Sequence, residues 1–374
     1  MTSLAVAGLS ARLMAEAAAS DGFEVVALDL FGDVDTCAAA SRWFGIGEAA
    51  TLRIDDDRLL AALAALARHG EVAGWVAGSG FEGRPDLLAR GAALLPLIGT
   101  EPDAVARLRN PARFFAFLAE HDIEHPPVRL APCADGSAWL LKDAGGCGGW
   151  HIRRAEPGAP LAAGHYLQRE VAGQPMSATF VANGTEARLL GINQQIVCPF
   201  GDRPHVFCGV LGPVPVAEGV LRRLDGILRT LSAGFALRGL ASLDFLLDAG
   251  RVLVLEVNPR PPASLASYPQ WRPMAAHLRA CRHGELPAPP QASAAEPVRG
   301  HQIVFARQSL RLGQTLAQSL ANRPDTHDLP SAGQRFAAGD PLCSVSAAGA
   351  SAAEVLGRLN ERREALLHSL ESCS

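Results

Sequence analysis

Leu240-Ala-Ser-Leu-Asp-Phe-Leu-Leu-Asp-Ala-Gly-Arg-Val-Leu-Val-Leu-Glu-Val-Asn-Pro-Arg260 reads as two apolar strands, residues 240–247 and 251–257, around the turn Asp248-Ala-Gly250. Gly250 sits where a hairpin turn asks for positive φ, and a three-residue loop is the simplest reading. A loop of odd length pairs residues of equal parity, so Leu247 is expected to face Arg251 and Asp244 to face Val254. Asp244, Glu256 and Asn258 then project from one face, with Glu256 diagonal to Asp244. Such a cluster on otherwise apolar strands is costly unless a cation satisfies it. Two carboxylates and an amide oxygen are hard donors that suit Mg²⁺, which completes its shell with nucleotide phosphate and water. The competing reading is that these acids reach solvent or pair with Arg238, Arg251 or Arg260.

A second stretch answers the first. Leu140-Leu-Lys-Asp-Ala-Gly-Gly-Cys-Gly-Gly-Trp150 places Lys142, the sole lysine of the chain, at the end of an expected strand over residues 138–142 and before a glycine run. Glycines let backbone N–H groups approach phosphate with no Cβ in the way, and an ammonium adds a point charge. The order is not that of a Walker loop, whose lysine follows the glycines; taken alone, the run is as compatible with a flexible turn. Acid face and lysine-glycine loop together point to a nucleotide held through its phosphates and a metal. Between them Tyr166-Leu-Gln-Arg-Glu-Val-Ala-Gly173 is a segment that offers backbone groups to an adenine edge, or a simple connector.

Composition narrows the class. The chain has 374 residues, nearly half of them apolar, enough for two or three domains with cores of their own. A net charge of −4 with mixed signs excludes the basic stripe needed for nucleic acid or an anionic bilayer. Met1–Ser10 lacks a cationic leader, and its apolar run is broken by Gly8 and Ser10, so a cytoplasmic location is expected. The eight cysteines (37, 133, 147, 198, 208, 281, 343 and 373) form no Cys-x-x-Cys pair and stand near no zinc-spaced histidines, which favours scattered buried thiols over disulfides or a structural metal.

Residues 4–8, 10–20 and 24–29 read as strand, helix and strand, the start of a βαβ unit. Helix 57–69, strand 72–77 and helix 84–95 complete a first domain ending near Ile98. Gly8-Leu-Ser10 lacks a dinucleotide fingerprint, so a structural α/β domain is favoured over a nicotinamide site despite Asp29. Asp33 and Asp35 are read as loop-shaping residues. Residues 103–109 and 112–121 form two short helices split at Asn110-Pro111. Strands at 176–181, 187–193 and 205–210 and a helix at 220–237 make an α+β block. Residues 287–299 have linker composition, and a C-terminal module follows with a strand at 302–306 and a final helix near 352–369.

In order and spacing these residues resemble the ATP-grasp superfamily, and within it a branch of ATP-dependent carboligases related to biotin carboxylase. The resemblance rests on the strand-end lysine and glycine loop (140–150), the hinge segment (167–173), Asp244 and the Glu-x-Asn-Pro-Arg run (256–260); Gly80-Phe-Glu82, Asn110-Pro111 and Asp328-Leu-Pro330 add to it. It implies an N-terminal Rossmann-like domain (1–98), a two-part grasp (99–286) and a small β-rich C-terminal module (287–374). It also implies ATP and Mg²⁺ as cofactors. Lys142, Gly145, Gly146 and Gly148 would hold phosphates, Gln168, Arg169 and Val171 would border adenine, and Asp244, Glu256 and Asn258 would bind magnesium. Arg260, with Lys142, would serve the reacting phosphoryl or carboxylate group. Many members carry a further lysine where this chain reads Arg109-Asn-Pro-Ala-Arg113, and either arginine is a candidate substitute.

The activity implied is an ADP-forming carboxylate-amine or carboxylate-thiol ligation through an acyl phosphate. Small-molecule carboxylates and amines are the expected partners, with glutamate addition in cofactor biosynthesis one option and a homodimer left open. The alternatives are a non-catalytic ATP-binding regulator, a biotin-independent phosphoryl transferase, or a nicotinamide enzyme using residues 4–30. A single lysine leaves the C-terminal module without a biotinyl-lysine, and Schiff-base chemistry would have to use Lys142 itself.

Overall fold

An all-apolar run, Leu4-Ala-Val-Ala7, builds the central strand of the first sheet; all four residues are fully buried. The structure, a computed structural model, describes residues 3–70, 72–135, 138–290 and 296–372. Cys373 and the middle of the expected linker (291–295) lie outside these. The first unit includes, among its elements, β1 (Ser3–Ala7), α1 (Arg12–Ser20), β2 (Glu24–Asp29), β3 (Arg42–Gly45), α2 (Asp56–His69), β4 (Trp75–Ala77) and α3 (Pro85–Leu94). Its strands are parallel in the order β3-β2-β1-β4, as βαβ crossovers require. α2 starts where the Asp55 carboxylate accepts from Arg58 N and stops at Gly70, whose left-handed φ of 61° closes its last turn. Its Leu59, Leu63 and Leu66 face the core.

The Asp29 carboxylate accepts from Ala11 N, Phe31 N, Gly32 N and the Trp43 indole at 2.8–3.1 Å. Asp29 thus fastens the loops above the sheet. Asp35 likewise accepts from Asp328 N and Leu329 N.

Pro111 opens α5 (Pro111–Glu120) directly after α4 (Pro102–Leu108), and the Asn110 side chain caps it by accepting from Arg113 N at 3.1 Å. A small antiparallel sheet follows, ordered β5-β8-β6-β7, from β5 (Val128–Arg129), β6 (Trp139–Asp143), β7 (Arg153–Arg154) and β8 (His165–Arg169). The Tyr166–Gly173 segment is therefore strand through Arg169.

The large sheet takes β9 (Gln174–Asn183), β10 (Ala187–Phe200), β11 (Arg203–Gly212), β12 (Arg238–Asp248) and β13 (Arg251–Asn258), with α6 (Glu218–Phe235) after β11. Val220, Leu224, Ile227, Leu228, Leu231 and Phe235 of α6 repeat at helical spacing and pack on Phe180, Leu243 and Phe245. α7 (Pro273–His283) covers the other face, where Met274 and Leu278 meet Leu240. β14 (Val298–Phe305), β15 (Thr326–His327) and β16 (Pro341–Gly349) extend the same sheet, giving eight strands in the order β13-β12-β9-β10-β11-β14-β16-β15. α8 (Ala352–Ser372) packs on this extension through Val355, Leu359 and Leu366. The β-rich C-terminal segment therefore joins the grasp sheet through β11 and β14.

The hairpin corrects one expectation. Asp248 pairs with Arg251 and Phe245 with Val254, so the loop is the two residues Ala249 and Gly250, with φ of 46° and 87°. Positive φ at both central residues is the signature of the tight turn that matches strand twist. A bulge at Leu255 then adds one residue to β13, and Asp244 lies directly opposite Glu256, with Ser242 opposite Asn258. The acids share a face because turn and bulge each shift the register by one residue in the same direction.

Candidate functional site

β6 and β8 set the first wall. Tyr166 pairs with Lys142 and Gln168 with Leu140, so Lys142 and Gln168 stand on neighbouring strands. The Lys142 ammonium, 4 % exposed, donates to Gln168 Oε1 at 3.1 Å and lies over the Tyr166 ring. Gln168 Nε2 is buried with no partner, a donor left for a ligand. These groups face a cavity of about 240 Å³. Its wall also takes in Arg169, Val171, Gly148, Gly149, His151, Gln195, Asp244, Glu256, Asn258, Arg260 and Ser264.

The glycine loop divides. Gly148 and Gly149 border the cavity. Gly149 has φ of 76°, and a Cβ there would fall 2.0 Å from His205 O; Gly148 O accepts from Phe207 N at 3.0 Å, which fastens the loop to β11. Gly145 and Gly146 do not line the cavity. Gly145 meets Gly83 of the first unit backbone to backbone, and Gly146 gives room to the His151 ring. The run thus bridges the first unit and the large sheet, with its last two glycines over the cavity.

The acid face carries the strongest fields. Glu256 Oε2 accepts from Arg109 Nη1 at 2.9 Å, Asn258 Oδ1 accepts from Arg109 Nη2 at 3.0 Å, and Asn258 Nδ2 donates to Asp244 Oδ2 at 3.1 Å. Burial alone would raise the Glu256 carboxyl, but the charges of Arg109, Lys142 and His151 outweigh it and hold it well below the usual range. Asp244 goes the other way: burial and the neighbouring Glu256 carboxylate push it up, against the Gln195 side chain that hydrogen-bonds to it. Glu256 is thus paired with an arginine, but with Arg109 rather than Arg238, Arg251 or Arg260, while Asp244 is met by the Asn258 and Gln195 amides. As a magnesium centre, the fit is good for the hard oxygens of Asp244 and Glu256; the Asn258 oxygen is already given to Arg109.

Arg260, at the end of the hairpin, donates through Nε to Glu82 Oε1 at 2.7 Å. Glu82 is buried and also accepts from Gly80 N at 2.7 Å, so Gly80-Phe-Glu82 is the part of the first unit that reaches the site. Beyond Arg260 the chain is fixed by a buried polar chain. Tyr268 OH donates to Asn193 Oδ1 at 2.6 Å, Asn193 Nδ2 donates to Thr179 Oγ1 at 2.9 Å, and Thr179 meets Ser264 Oγ at 2.6 Å.

The structure thus gathers Lys142, Gly148, Gln168, Arg169, Val171, Asp244, Glu256, Asn258 and Arg260 on one cavity and leaves out Gly145 and Gly146. Sequence reasoning missed His151, Gln195, Ser264 and Glu82 as members of the site. Only His151, next to the glycine run, and Glu82, within a motif already noted, left a local signal. Glu16, Asp35 and His327 also bring ligand atoms within 4.8 Å of one another. There Arg12 already donates to Glu16 and Asp328 at 2.9 and 2.7 Å, and the cluster reads as an ion-pair network.

A family model described as an ATP-grasp domain matches residues 110–264. Biotin carboxylase from Campylobacter jejuni, solved with an ATP analogue, is similar with a TM-score of 0.69 at 13 % identity, over 96 % of this chain and 89 % of that one. An N5-carboxyaminoimidazole ribonucleotide synthetase in complex with ADP gives 0.68 at 14 %, over 99 % and 97 %. An L-amino acid ligase from Bacillus licheniformis gives 0.65 at 15 %, over 96 % of each chain. The comparison with curated proteins finds no match. At these identities the property shared with the solved structures is the fold. Residues 110–264 match the ATP-grasp domain model, and the fold of these solved structures extends over nearly the whole chain.

Proposed function

We propose that this protein is an ATP-dependent, ADP-forming ligase that activates a carboxylate on a small metabolite and joins it to an amine or a thiol. The observation that carries the reading is the meeting of Lys142, Gln168, Asp244, Glu256, Asn258 and Arg260 on one cavity. Lys142 and the backbone of Gly148 and Gly149 bind the phosphates, and Gln168, Arg169 and Val171 border the adenine. Asp244 and Glu256 would hold Mg²⁺, which would supply charge compensation for the transferring phosphoryl group. A substrate carboxylate oxygen attacks the γ-phosphorus, its bond to the β-bridging oxygen breaks, and ADP leaves. The amine then attacks the acyl carbon, loses a proton, and inorganic phosphate departs. Arg260, steadied by Glu82, offsets negative charge on the carboxylate and on the tetrahedral adduct. The loop pinned by Gly83 and by Phe207 keeps water from the acyl phosphate. Glutamate addition to a cofactor precursor is one substrate choice compatible with this chemistry. Among the described residues no helix is long and apolar enough to cross a membrane, in keeping with small-molecule partners.

One observation favours a second reading: Arg109 claims two of the three residues expected to bind magnesium, as in an ATP-binding regulator without turnover. Release of ADP separates the two. Pooled carboxylates and amines are screened with the wild-type protein, Lys142→Ala and Glu256→Gln. Substrate-dependent ADP lost in both variants is expected; equal ADP from all three proteins at saturating substrate overturns the assignment.

A further inference from the structure

We infer that Arg109 is a built-in cation of this centre, holding the Glu256–Asn258 position so that ATP binds with one divalent ion, on the Asp244 side, rather than two. The inference rests on the ATP-binding reading above and concerns how the charge of the phosphates is met.

Three observations carry it. First, the guanidinium fork spans two acceptors that the bulged strand β13 puts on one face, Nη1 on Glu256 at 2.9 Å and Nη2 on Asn258 Oδ1 at 3.0 Å. A fork of this shape holds two oxygens at once, which an ammonium cannot do with the same rigidity. Second, the Asn258 amide is turned by its neighbours. Its Nδ2 donates to Asp244 Oδ2 at 3.1 Å, so its one acceptor atom is directed at Arg109. A metal on the Glu256–Asn258 side would need that same oxygen, whereas the groups that hydrogen-bond to Asp244, Asn258 and Gln195, are neutral amides. Third, Arg109 is held from behind. Its backbone N donates to Val105 O at 2.9 Å, and Asn110 and Pro111 begin the next helix at once. Its side chain is 9 % exposed. Withdrawing this guanidinium would leave the partly buried Glu256 carboxylate without its cation. The Arg109 Nε–H is buried with no hydrogen-bond partner.

Mn²⁺ bound per nucleotide tests this, counted by electron paramagnetic resonance at saturating non-hydrolysable ATP analogue with nucleotide occupancy measured in parallel. The expected count is one in the wild-type protein, with a six-line spectrum of an isolated ion. In Arg109→Ala it rises to two, with the broadened spectrum of a close pair. Two ions in the wild type, or one ion still in a folded Arg109→Ala, overturns the inference while leaving the nucleotide site intact. A wild-type protein that binds no analogue overturns the ATP-binding reading itself, and the inference with it. Should Arg109→Ala not fold, Arg109→Gln keeps a donor for Glu256, and the wild-type count decides without any variant.

Discussion

Replacing Lys142 by methionine should leave the unliganded fold almost unchanged and remove most of the nucleotide affinity. Lys142 is buried, yet its hydrogen bond is to a neutral acceptor, Gln168 Oε1 at 3.1 Å. That bond contributes about 1 kcal/mol, and burying the ammonium offsets it. Glu256 loses the part of the field that Lys142 supplies, but Arg109 still pairs with it directly at 2.9 Å. Methionine fills a similar volume against Tyr166, so the net change in stability should stay within about 1 kcal/mol, or no more than about 4 °C in Tm. The nucleotide loses a charge-assisted contact to its phosphates, about 1.5–3 kcal/mol, which is about 10- to 150-fold in Kd. Lys142→Arg should behave similarly, since a wide planar fork does not fit where a compact ammonium is walled by Gln168 and Tyr166. Thermal unfolding without nucleotide and calorimetric titration with MgATP give the two numbers. A Tm drop well beyond 4 °C with nucleotide affinity within twofold of wild type would show Lys142 to be structural and refute the reasoning.

Gly149→Ala forces a Cβ to within 2.0 Å of His205 O at a left-handed φ, costing at least about 1–2 kcal/mol; the loop should lift from β11. Faster proteolytic cleavage within residues 145–150 and a raised KM for ATP are expected, and an unchanged cleavage rate contradicts this. His277 is buried between the two units, accepting from Leu240 N through Nδ1 at 2.8 Å and meeting Ile98 O through Nε2 at 2.9 Å, and burial pushes it down to about 4. Because the unfolded chain takes up the proton more readily, with a pKa of about 6.5, stability from the neutral ring is complete above that pH. It is lost as pH falls toward 4, up to about 3 kcal/mol. Urea midpoints at pH 7.5 and 5 should differ in wild type and differ less in His277→Gln; equal pH dependence in both denies the role. Tyr268→Phe leaves Asn193 Oδ1 without its 2.6 Å donor and should cost about 1–3 kcal/mol in thermal unfolding; a variant as stable as wild type removes this network from the account.

The acid face was legible because alternation along a strand is local: Asp244, Glu256 and Asn258 carry their parity wherever the strands sit. The turn was not. Gly250 alone suggested three residues, and nothing in the sequence marks Ala249 as adopting positive φ or Leu255 as the bulge. The two departures cancel for the direction of the side chains, so the right face followed from a wrong pairing. The glycine run shows the opposite case. Its composition announced a phosphate loop, but which glycines reach the cavity depends on Gly83 and His205, 62 and 56 residues away from Gly145 and Gly149. Glu82, in the loop after β4, Gln195, on β10, and Ser264, in a 3-10 turn after β13, are likewise brought together from separate parts of the chain. Arg109 was noted only as a stand-in for a lysine; its grip on Glu256 and Asn258 joins residues 147 and 149 positions apart. Helix α7 escaped because arginines and histidines interrupt its apolar positions, which bury against α1 and β12 through the small side chains of Ala276 and Ala280.

The central claim, that this cavity clamps ATP between the lysine-glycine wall and the acid face, is tested most directly by a diffraction structure with a non-hydrolysable ATP analogue and Mn²⁺. The account predicts adenine beside Gln168 and Val171, the terminal phosphate within hydrogen-bonding distance of Lys142 Nζ, and the manganese anomalous peak against Asp244. Nucleotide bound elsewhere, or bound here with Lys142 and the acid face both out of reach of its phosphates, would contradict it.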